Sequence, residues 1–438
     1  MPMSIKSTNG HFCMWLMVQS IALISAEPGK SIAKQKTVAI KLVYSRQILL
    51  PEIGVEGQVA LVGARVLVVG CGGLGCPAAA YLAGAGVGEI GLVDYDTVDV
   101  TNIHRQLLHG ESDQATSKVQ SAANALRRIN SNINITPYDI QLTSTNALDI
   151  IGKYHVILDC TDNVPTRYLL NDACALTKLP LISGSALKME GQLTVYGPCY
   201  RCLFPTPPPP ETVGSCSANG VAGPVPGLIG ALQALEAIKL IVGNSHKKLL
   251  VERMLIFDGE DCTFRTVKLR PRNLECAACC AAPTITRLLD YETFCKAKAK
   301  EKDLDLDILP SSLRLSAVEL SGLLSRSHLL VDVRSAPEFA MCRIEGAVNY
   351  PIESLWGETL EKLVGEIKNC DAPVTFVCRR GNDSQVAVQR VLDSLDVLDR
   401  LDTPGESKAG GAPAARVRDL VGGLHGWAEH VDRDFPIY

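Results

Sequence analysis

The chain has 438 residues, enough for roughly two or three domains. It carries 43 Lys and Arg residues against 47 Asp and Glu residues, a formal net charge of −4, so no overall positive charge draws it to nucleic acid or anionic lipid. Hydrophobic residues make up 47% and charged residues 21%, which excludes a disordered, collagen-like or coiled-coil chain. We therefore expect neither a direct nucleic-acid partner nor a membrane partner.

The 16 cysteines are dispersed along the chain, which does not fit a disulfide scaffold and indicates a reducing compartment, the cytosol. Residues 1–41 are left unassigned. Within them, residues 12–25 (FCMWLMVQSIALIS) form an apolar stretch that is too short to span a membrane. A secretory signal is the alternative, but Gln19 and Ser20 interrupt the stretch and no good small-residue cleavage pattern follows.

The first chemical motif begins at residue 65. The β-branched run RVLVV (65–69) leads into GCGGLG (70–75) and then into a small-residue helical segment, which predicts a strand, a glycine turn and a helix. Such a turn lets backbone amides approach phosphate, and Gly73 is expected there. Asp94 ends the next strand, at the usual place for a ribose-binding carboxylate. These features alone favour a nicotinamide dehydrogenase and an ATP-using enzyme equally, with a structural turn as a third reading.

The residues that follow favour ATP. Lys118 begins the next helical pattern, and the strand VILDC delivers Asp162 and Asn163, with Arg167 one turn further on. Cations suit a triphosphate, and a carboxylate at the end of a strand can hold Mg²⁺ on phosphate oxygens. For any one of these charged residues, a position on a solvated helix face is the simpler interpretation. The charged residues together predict a nucleotide site. A polar run after the acidic strand is expected to belong to the same site: Thr101, Asn102, Ile103, His104 and Arg105.

These motifs carry a family resemblance. RQILLPEIGVEGQ (46–58), GCGGLG, LVDYDTVDVTNIHRQ and DCTDNVPTRYLLND (159–172) resemble the adenylating domain of ubiquitin-activating-type enzymes and of their bacterial relatives that adenylate sulfur-carrier proteins. The resemblance implies that Arg46 reaches into the nucleotide site of a neighbouring subunit in a homodimer. It also implies ATP contacts from Gly73, Asp94, Asn102, Arg105, Lys118, Asp162 and Asn163.

Two cysteine pairs predict a metal site. Each C-x-x-C knuckle can present two thiolates to one ion, and four sulfurs complete a closed tetrahedral zinc site without an open catalytic position. Buried free thiols are the alternative, and Cys280 could compete as a ligand. The resembling family holds zinc at the four matching positions, which here are Cys199, Cys202, Cys276 and Cys279.

Cys216 lies between the two pairs, in a Pro- and Gly-rich segment that is expected to form a mobile crossover loop. From the residues alone, a bystander cysteine is the favoured interpretation, although an exposed thiol near a helix start can become acidic. The resemblance implies the opposite, because Cys216 falls at the position of the acyl-accepting or disulfide-resolving cysteine of the family.

A second pattern begins after the charged segment near 296–307. The strand VTFVC ends in Cys378, followed by Arg379, Arg380, Gly381 and a helical segment. Backbone N–H groups and two arginines at such a bend predict a thiolate with a pKa well below that of a free cysteine, and hence a nucleophile. A core cysteine is the alternative.

Residues 312–438 resemble a rhodanese domain, on VDVR (331–334), EGAVNYP (345–351) and the closing GGLHGWAEHVDRDFP (422–436). A loop of this length accommodates a persulfide sulfur, and a phosphatase of similar architecture is a minor alternative. The resemblance to both domains together covers nearly all of 42–438 and points to the eukaryotic adenylyltransferase and sulfurtransferase family that serves molybdopterin synthase and tRNA thiolation.

The predicted fold class is α/β: a doubly wound, Rossmann-like adenylating domain with a zinc knuckle over 42–290, a linker over 291–311, and a smaller α/β rhodanese domain over 312–438. The resemblance implies ATP with Mg²⁺ as substrate and one structural Zn²⁺ per subunit. It further implies a small ubiquitin-like sulfur carrier ending in Gly-Gly and a cysteine desulfurase or other persulfide donor. A docking scaffold or carrier-activating enzyme without sulfur transfer is the rival function.

Overall fold

The computed structural model describes residues 43–197, 199–209, 220–244, 246–297, 299, 306–402 and 416–438. It divides the chain into two compact units, Met1–Lys302 and Asp303–Tyr438. The N-terminal segment 1–42 and Cys216 lie outside the described residues, so the predictions made for them are not placed by the structure.

The first unit is built on one sheet with helices on both of its faces. Its strands are β1 (Arg65–Val69), β2 (Glu89–Asp94), β3 (Asn134–Asp139), β4 (Val156–Asp159), β5 (Leu181–Leu187), β6 (Glu190–Val195), β7 (Arg253–Asp258) and β8 (Thr263–Lys268). Its helices are α1 (Ser45–Ile48), α2 (Gly54–Gly63), α3 (Gly75–Ala85), α4 (Lys118–Ile129), α5 (Ala147–Ile151), α6 (Val164–Thr177), α7 (Tyr200–Leu203), α8 (Pro224–Ile241) and α9 (Tyr291–Cys295).

The strand order β3-β2-β1-β4-β5-β6-β7-β8 places β1 beside β4, where the chain switches from one side of the sheet to the other. Strands β1 to β5 run parallel, and β6, β7 and β8 continue the sheet as antiparallel strands. In a doubly wound sheet the crevice outside the carboxyl ends of the strands at this switch binds ligands. The predicted doubly wound fold is therefore confirmed, and it fixes where a site must lie.

Alternating side chains of the central strands divide the core into two layers. Val66 and Val68 of β1 pack with α3, α4 and α8 on one face, while Leu67 and Val69 pack with α5, α6 and α9 on the other. Successive side chains of a strand point to opposite faces of the sheet. An uninterrupted apolar run such as RVLVV is therefore buried on both faces only because helices cover both faces of the sheet. Among the described residues, one helix, α8, is long and apolar enough to cross a membrane, and it packs into this core.

The expected linker over 291–311 is not all connecting chain. Its first residues form α9, where Tyr291 and Cys295 are buried in the core of the first unit, and Leu309 near its end is buried in the core of the second. The division between the units falls between them, at Lys302 and Asp303.

The second unit is a smaller α/β layer structure. Its strands are β9 (Arg314–Leu315), β10 (Leu329–Asp332), β11 (Val348–Asn349), β12 (Val374–Val377) and β13 (Val417–Leu420), and they form a parallel sheet in the order β11-β10-β12-β13-β9. Its helices are α10 (Ala317–Leu323), α11 (Ala336–Met341), α12 (Gly357–Asn369), α13 (Asp383–Asp402) and α14 (Gly423–His430). Central β12 ends directly at Cys378, which places this cysteine at the carboxyl edge of the sheet.

Candidate functional site

A pocket lies at the carboxyl ends of β1, β2 and β4, at the topological switch. The glycine turn after β1 forms one wall, the end of β2 another, and the segment after β4 a third. It brings together these predicted residues: Gly73, Asp94, Asn102, Arg105, Lys118, Asp162 and Asn163.

The glycine turn is held close to the sheet and to α8. A Cβ atom on Gly75 would lie 1.8 Å from the carbonyl oxygen of Gly70, so only glycine allows the chain to turn from β1 into α3 here. Leu74 precedes α3 and no side chain caps the first turn of that helix. The N–H of Cys76 already donates to the carbonyl of Gly72 (3.0 Å) and Pro77 has no N–H, so among the first three residues of α3 it is the N–H of Gly75 that a phosphate could use.

Asp94 connects the turn to the end of β2. Its Oδ2 accepts a hydrogen bond from the backbone N–H of Cys71 (2.7 Å), and its Oδ1 accepts one from the N–H of Asp96 (2.9 Å). Burial raises the pKa of the Asp94 carboxyl, and the ammonium of Lys118 opposes that shift. The carboxylate is therefore fixed in orientation at the floor of the pocket.

Lys118, at the start of α4, is buried against Asp96, with Nζ 2.8 Å from Oδ2. The sequence interpretation did not single out Asp96, although it lies two residues after Asp94, on the same side of the extended chain. It lines the pocket and gives the lysine a counterion. A triphosphate would offer this ammonium a stronger partner than the single carboxylate.

The polar run after β2 is only partly gathered into the pocket. Asn102 accepts a hydrogen bond from Arg105 through its Oδ1 (2.6 Å), and the other arm of Arg105 contacts Nε2 of His104 (2.9 Å), so Arg105 is oriented by its neighbours. Thr101 bonds to Asp99 instead. As far as the described residues define the pocket, its lining does not include Thr101, Ile103 or His104.

The segment after β4 places Asp162 at the exposed mouth of the pocket. Asn163 is the N-cap of α6 and accepts a hydrogen bond from the N–H of Thr166 (2.9 Å). Arg167, expected in the site, is instead paired with the fully buried Asp159 (3.3 Å) and is not among the lining residues that the structure describes. Its charge is consumed in stabilising a buried carboxylate.

Among the described residues that line the pocket, one buried side-chain oxygen has no hydrogen-bond partner in the protein. Gln106 lines the pocket with its side chain almost fully buried, and no donor within the described part of the chain reaches its Oε1. A buried acceptor without a partner is costly, so a ligand that donates a hydrogen bond here would be bound more tightly.

Arg46 lies on α1 and is exposed, away from the lining of this pocket as the described residues define it. The reach of Arg46 into a neighbouring subunit stays a prediction.

The four predicted zinc ligands lie together. Their sulfurs all fall within 4.8 Å of one another, with Sγ–Sγ distances of 3.8 Å for Cys199 and Cys202, 3.5 Å for Cys199 and Cys276, and 3.5 Å for Cys202 and Cys279. Zinc with Zn–S bonds of about 2.3 Å requires sulfurs about 3.8 Å apart. The cluster is thus compatible with a zinc site of four cysteine ligands, and Cys280 is not one of its members.

The knuckle also supports a thiolate. Cys202 accepts a hydrogen bond from the backbone N–H of Asn273 (3.4 Å). Hydrogen bonds from Cys199 and Cys279 lower the pKa of the Cys202 thiol. A deprotonated sulfur is the form that binds zinc.

The contrast between Cys279 and Cys280 gives a test of the metal site. We expect Cys279→Ala to lose its zinc and to unfold at a temperature lower by roughly 10 °C, because the metal contributes several kcal/mol to folding. Cys280→Ala is the matched control and should keep one zinc per chain, measured by atomic absorption. Equal zinc contents in the two variants would contradict the assignment.

In the second unit, the chain after β12 folds into a cradle for the sulfur of Cys378. The N–H of Gly381 donates to Sγ (3.1 Å), and Sγ lies 3.4 Å from Oγ of Ser384. The carbonyls of the same loop are bound elsewhere: that of Cys378 by the N–H of Leu424 (2.9 Å) and that of Arg379 by the N–H of His425 (3.1 Å). Backbone amides are therefore turned toward the sulfur.

Residues far along the chain make this loop possible. A Cβ atom on Gly423, at the start of α14, would lie 2.4 Å from the carbonyl oxygen of Cys378, so the close approach requires glycine. Arg314 and Gln385 both donate to the carbonyl of Gly381 (3.3 Å and 2.7 Å). Asp419 fixes Arg314 with two hydrogen bonds of 3.0 Å and 3.1 Å.

The predicted low pKa of Cys378 is wrong. The side chain is buried, and burial raises the pKa of its thiol, while hydrogen bonding to Ser384 opposes the shift and the charge of Asp383 reinforces it. The backbone N–H groups of Ser384 and Arg380 also oppose the shift but do not overcome it. The guanidinium of Arg379 lies over the ring of Tyr438, 5.0 Å from its centroid. The cradle is present, but the free thiol in it holds its proton.

The pH dependence of persulfide loading follows from these shifts. Thiosulfate loads a thiolate, which takes the sulfane sulfur and releases sulfite, so we expect the loading rate to rise with pH to an inflection above the ordinary cysteine value of about 8.5. Single-turnover loading measured by mass spectrometry across this pH range checks it. Asp383→Asn should move the inflection to lower pH, and Ser384→Ala should move it to higher pH. Shifts in the reverse directions would show that other groups control the thiol.

The fold and its two sites define a class: an enzyme with a nucleotide crevice on a doubly wound sheet, a closed cysteine knuckle and, on a second unit, a cysteine cradled for group transfer. Comparison with known proteins agrees. The profile of the ThiF family matches residues 44–278, and that of the rhodanese-like domain matches 316–430.

Similar proteins carry one name, adenylyltransferase and sulfurtransferase MOCS3. The protein from Aedes aegypti is 51% identical over 401 residues, covering 90% of this chain and 88% of that protein. The one from Anopheles gambiae is 52% identical over 404 residues, with coverage of 90% and 88%. Among solved structures, E. coli MccB with SeMet MccA is 22% identical over 54% of this chain and 74% of that chain, with a TM-score of 0.47.

This chain belongs to the ThiF family, in its MOCS3 group of adenylyltransferases and sulfurtransferases. It is an enzyme with nucleotide-binding and rhodanese parts, as the sequence predicted.

Proposed function

We propose that this enzyme adenylates the C-terminal glycine of a small ubiquitin-like sulfur carrier and then converts it to a thiocarboxylate. One observation carries the proposal: the pocket at the glycine turn gathers a fixed carboxylate, Asp94, with two oriented cations, Arg105 and Lys118, on the same chain as the cradled Cys378. The charged groups of the pocket suit a triphosphate, and the loop around Cys378 suits a sulfur atom that is to be transferred.

Activation by ATP solves a chemical problem of the carrier. A carboxylate does not exchange oxygen for sulfur because oxide is a poor leaving group, whereas an acyl adenylate expels AMP readily. Lys118 and Arg105 would neutralise the charge that develops as pyrophosphate departs, and Asp162 at the pocket mouth would hold Mg²⁺ on the phosphate oxygens. The ribose would bind at Asp94.

Sulfur transfer then uses two cysteines. Cys378, loaded as a persulfide by a cysteine desulfurase or another donor, attacks the acyl carbon through its outer sulfur, and AMP leaves. The product is an acyl disulfide. The thiolate of Cys216 next attacks the Cys378 sulfur, which releases the carrier thiocarboxylate and leaves a Cys216–Cys378 disulfide for a cellular thiol to reduce.

A second order of events starts with a thioester on Cys216. The variant Cys216→Ser separates the two orders by mass spectrometry. An oxygen ester between the introduced serine and the carrier would support the thioester order, and an acyl disulfide on Cys378 would support the first.

The enzyme is proposed to act as a homodimer. On α2, Val55, Val59 and Val62 are exposed at helical spacing, and Leu49 lies exposed just before this helix. This apolar surface suits a second copy of the chain, and Arg46 lies beside it, from where it would reach the partner's nucleotide pocket.

The cellular roles proposed are molybdopterin synthesis and 2-thiolation of the tRNA wobble uridine, with the carrier rather than this enzyme meeting the RNA. The cytosol is the proposed location, since every cysteine among the described residues is free.

The first experiment is carrier-dependent exchange between ATP and pyrophosphate, followed by a thiosulfate sulfurtransferase assay. Both activities are expected. Exchange without sulfur transfer would reduce the function to carrier activation, and loss of both would leave a docking scaffold.

A further inference from the structure

A buried histidine lies behind the glycine turn, on the side away from the pocket. His109 is buried, and its Nε2 lies 3.0 Å from the carbonyl oxygen of Cys71. The N–H of the same cysteine is held by Asp94. The peptide units on both sides of Cys71 are therefore fixed from two directions, one by the residue proposed to bind ribose and the other by an imidazole.

The three contacts that link Asp113, Ser121, His109 and Cys71 are all satisfied as hydrogen bonds when the imidazole of His109 carries both of its protons. Asp113 accepts from Oγ of Ser121 (2.9 Å), and because a carboxylate is an acceptor, the hydroxyl proton of Ser121 points toward it. Ser121 must then accept from Nδ1 of His109 (2.9 Å), and the carbonyl of Cys71 must accept from Nε2. Both ring nitrogens donate, which only the imidazolium form can do.

Other groups oppose that charge. Burial lowers the pKa of His109, as does the nearby Lys118, whereas the carbonyl of Cys71 and the carboxylates of Asp94 and Asp113 raise it. Within the described part of the chain, the thiol of Cys76 also contacts the imidazole, with its Sγ 3.7 Å from Nε2. The net effect lowers the pKa of His109, so the cation that satisfies the hydrogen bonds is opposed mainly by burial.

The protonation state of His109 affects the pocket through the peptide unit between Cys71 and Gly72. In a trans peptide the C=O and N–H point in opposite directions. When His109 holds the carbonyl of Cys71, the N–H of Gly72 is aimed away from the imidazole, and Gly72 lines the pocket whereas His109 does not. Loss of the proton from Nε2 leaves two acceptors facing each other and releases this peptide.

We propose that His109 is a positioning residue whose protonated imidazole holds the nucleotide turn in its ATP-binding shape, so that ATP binding takes up a proton at this side chain. The inference rests on ATP occupying the glycine-turn pocket. By linkage, if the protonated form binds ATP more tightly, bound ATP must raise the pKa of His109 by the same factor.

The test compares the wild-type enzyme with His109→Gln. Glutamine keeps an uncharged donor near the Cys71 carbonyl but does not titrate. The Kd of ATP is measured by calorimetry between about pH 5.5 and pH 7.5. On acidification, it should fall about fivefold more in the wild type than in His109→Gln. Titration of ATP itself affects both proteins equally and so cancels in this comparison. Ser121→Ala, which removes the acceptor for Nδ1, should shift this transition to lower pH.

A direct measurement accompanies the affinities. In ¹⁵N-histidine spectra, the resonance absent from His109→Gln identifies this imidazole, and its pKa should rise on saturation with ATP. Identical pH dependence of Kd in the two proteins, or an unchanged His109 pKa, would overturn the inference while leaving the pocket assignment intact. A wild-type enzyme that binds no ATP at any pH would overturn both.

Discussion

Replacing Cys378 with serine is expected to abolish formation of the carrier thiocarboxylate, by a factor of more than about 1000, while carrier-dependent pyrophosphate exchange continues at the wild-type rate. The reason is the division of labour between the units. The pocket proposed for adenylation lies in Met1–Lys302 and needs no protein nucleophile, whereas the proposed persulfide forms on Cys378, whose sulfur is held by the loop after β12 in Asp303–Tyr438. Exchange and thiocarboxylate are measured on the same preparation.

Cys370→Ser is the matched control, because Cys370 is a half-buried cysteine of the same unit that follows α12. It should retain both activities. Thiocarboxylate formation that survives Cys378→Ser would show that another thiol carries the sulfur.

Replacing Lys118 with alanine is expected to lower the rate of pyrophosphate exchange by about 100- to 1000-fold, the usual effect of removing one group that stabilises developing charge. The ammonium is buried beside Asp96, and its loss leaves a carboxylate facing the triphosphate without a counterion. Like-charge repulsion therefore adds to the loss of attraction. Exchange kinetics at saturating carrier measure the effect.

Arg127→Ala is the control, since Arg127 is an exposed cation on the same helix, α4. It should leave exchange unchanged, and both variants should unfold near the wild-type temperature. Wild-type exchange in Lys118→Ala would exclude this lysine from the nucleotide site. A further variant, Asp96→Asn, shows whether repulsion from Asp96 contributes: combined with Lys118→Ala, it should recover part of the lost rate.

Much of the first site could be predicted from short segments of sequence. A β-branched run, a glycine turn and an acidic strand end lie within about one βαβ unit, and the fold brings the carboxyl ends of parallel strands to one edge. The two C-x-x-C pairs were equally local signals, and the fold closed them into one cluster. Local patterns succeeded where chain direction and strand polarity dictate the position of a side chain.

Burial and the direction of side chains could not be predicted from the same short sequence patterns. The raised pKa of Cys378 comes mainly from how deeply its sulfur is buried, which the sequence pattern around it does not show. Arg167 was expected in the pocket but is drawn to the buried charge of Asp159, on a different element. Tyr438, which the guanidinium of Arg379 contacts, lies far from Arg379 along the chain. Asp159 lies only eight residues before Arg167, but spacing alone does not show that the arginine turns back to the end of the strand.

The relay behind the glycine turn shows the same limit. Asp113, Ser121 and His109 are separated by loop and helix, and no motif joins them to Cys71. The position of Asp96, by contrast, could have been predicted from the sequence. An acidic residue two positions after a carboxylate at a strand end lies on the same side of the chain as that carboxylate.

The most direct test of the central claim is the mass of the carrier itself. Wild-type enzyme, ATP with Mg²⁺, a carrier ending in Gly-Gly and a persulfide donor should yield a carrier heavier by the difference between one sulfur and one oxygen atom, with the change confined to its last residue. A carrier that is consumed to adenylate but never gains sulfur, with Cys378 fully loaded, would contradict the account.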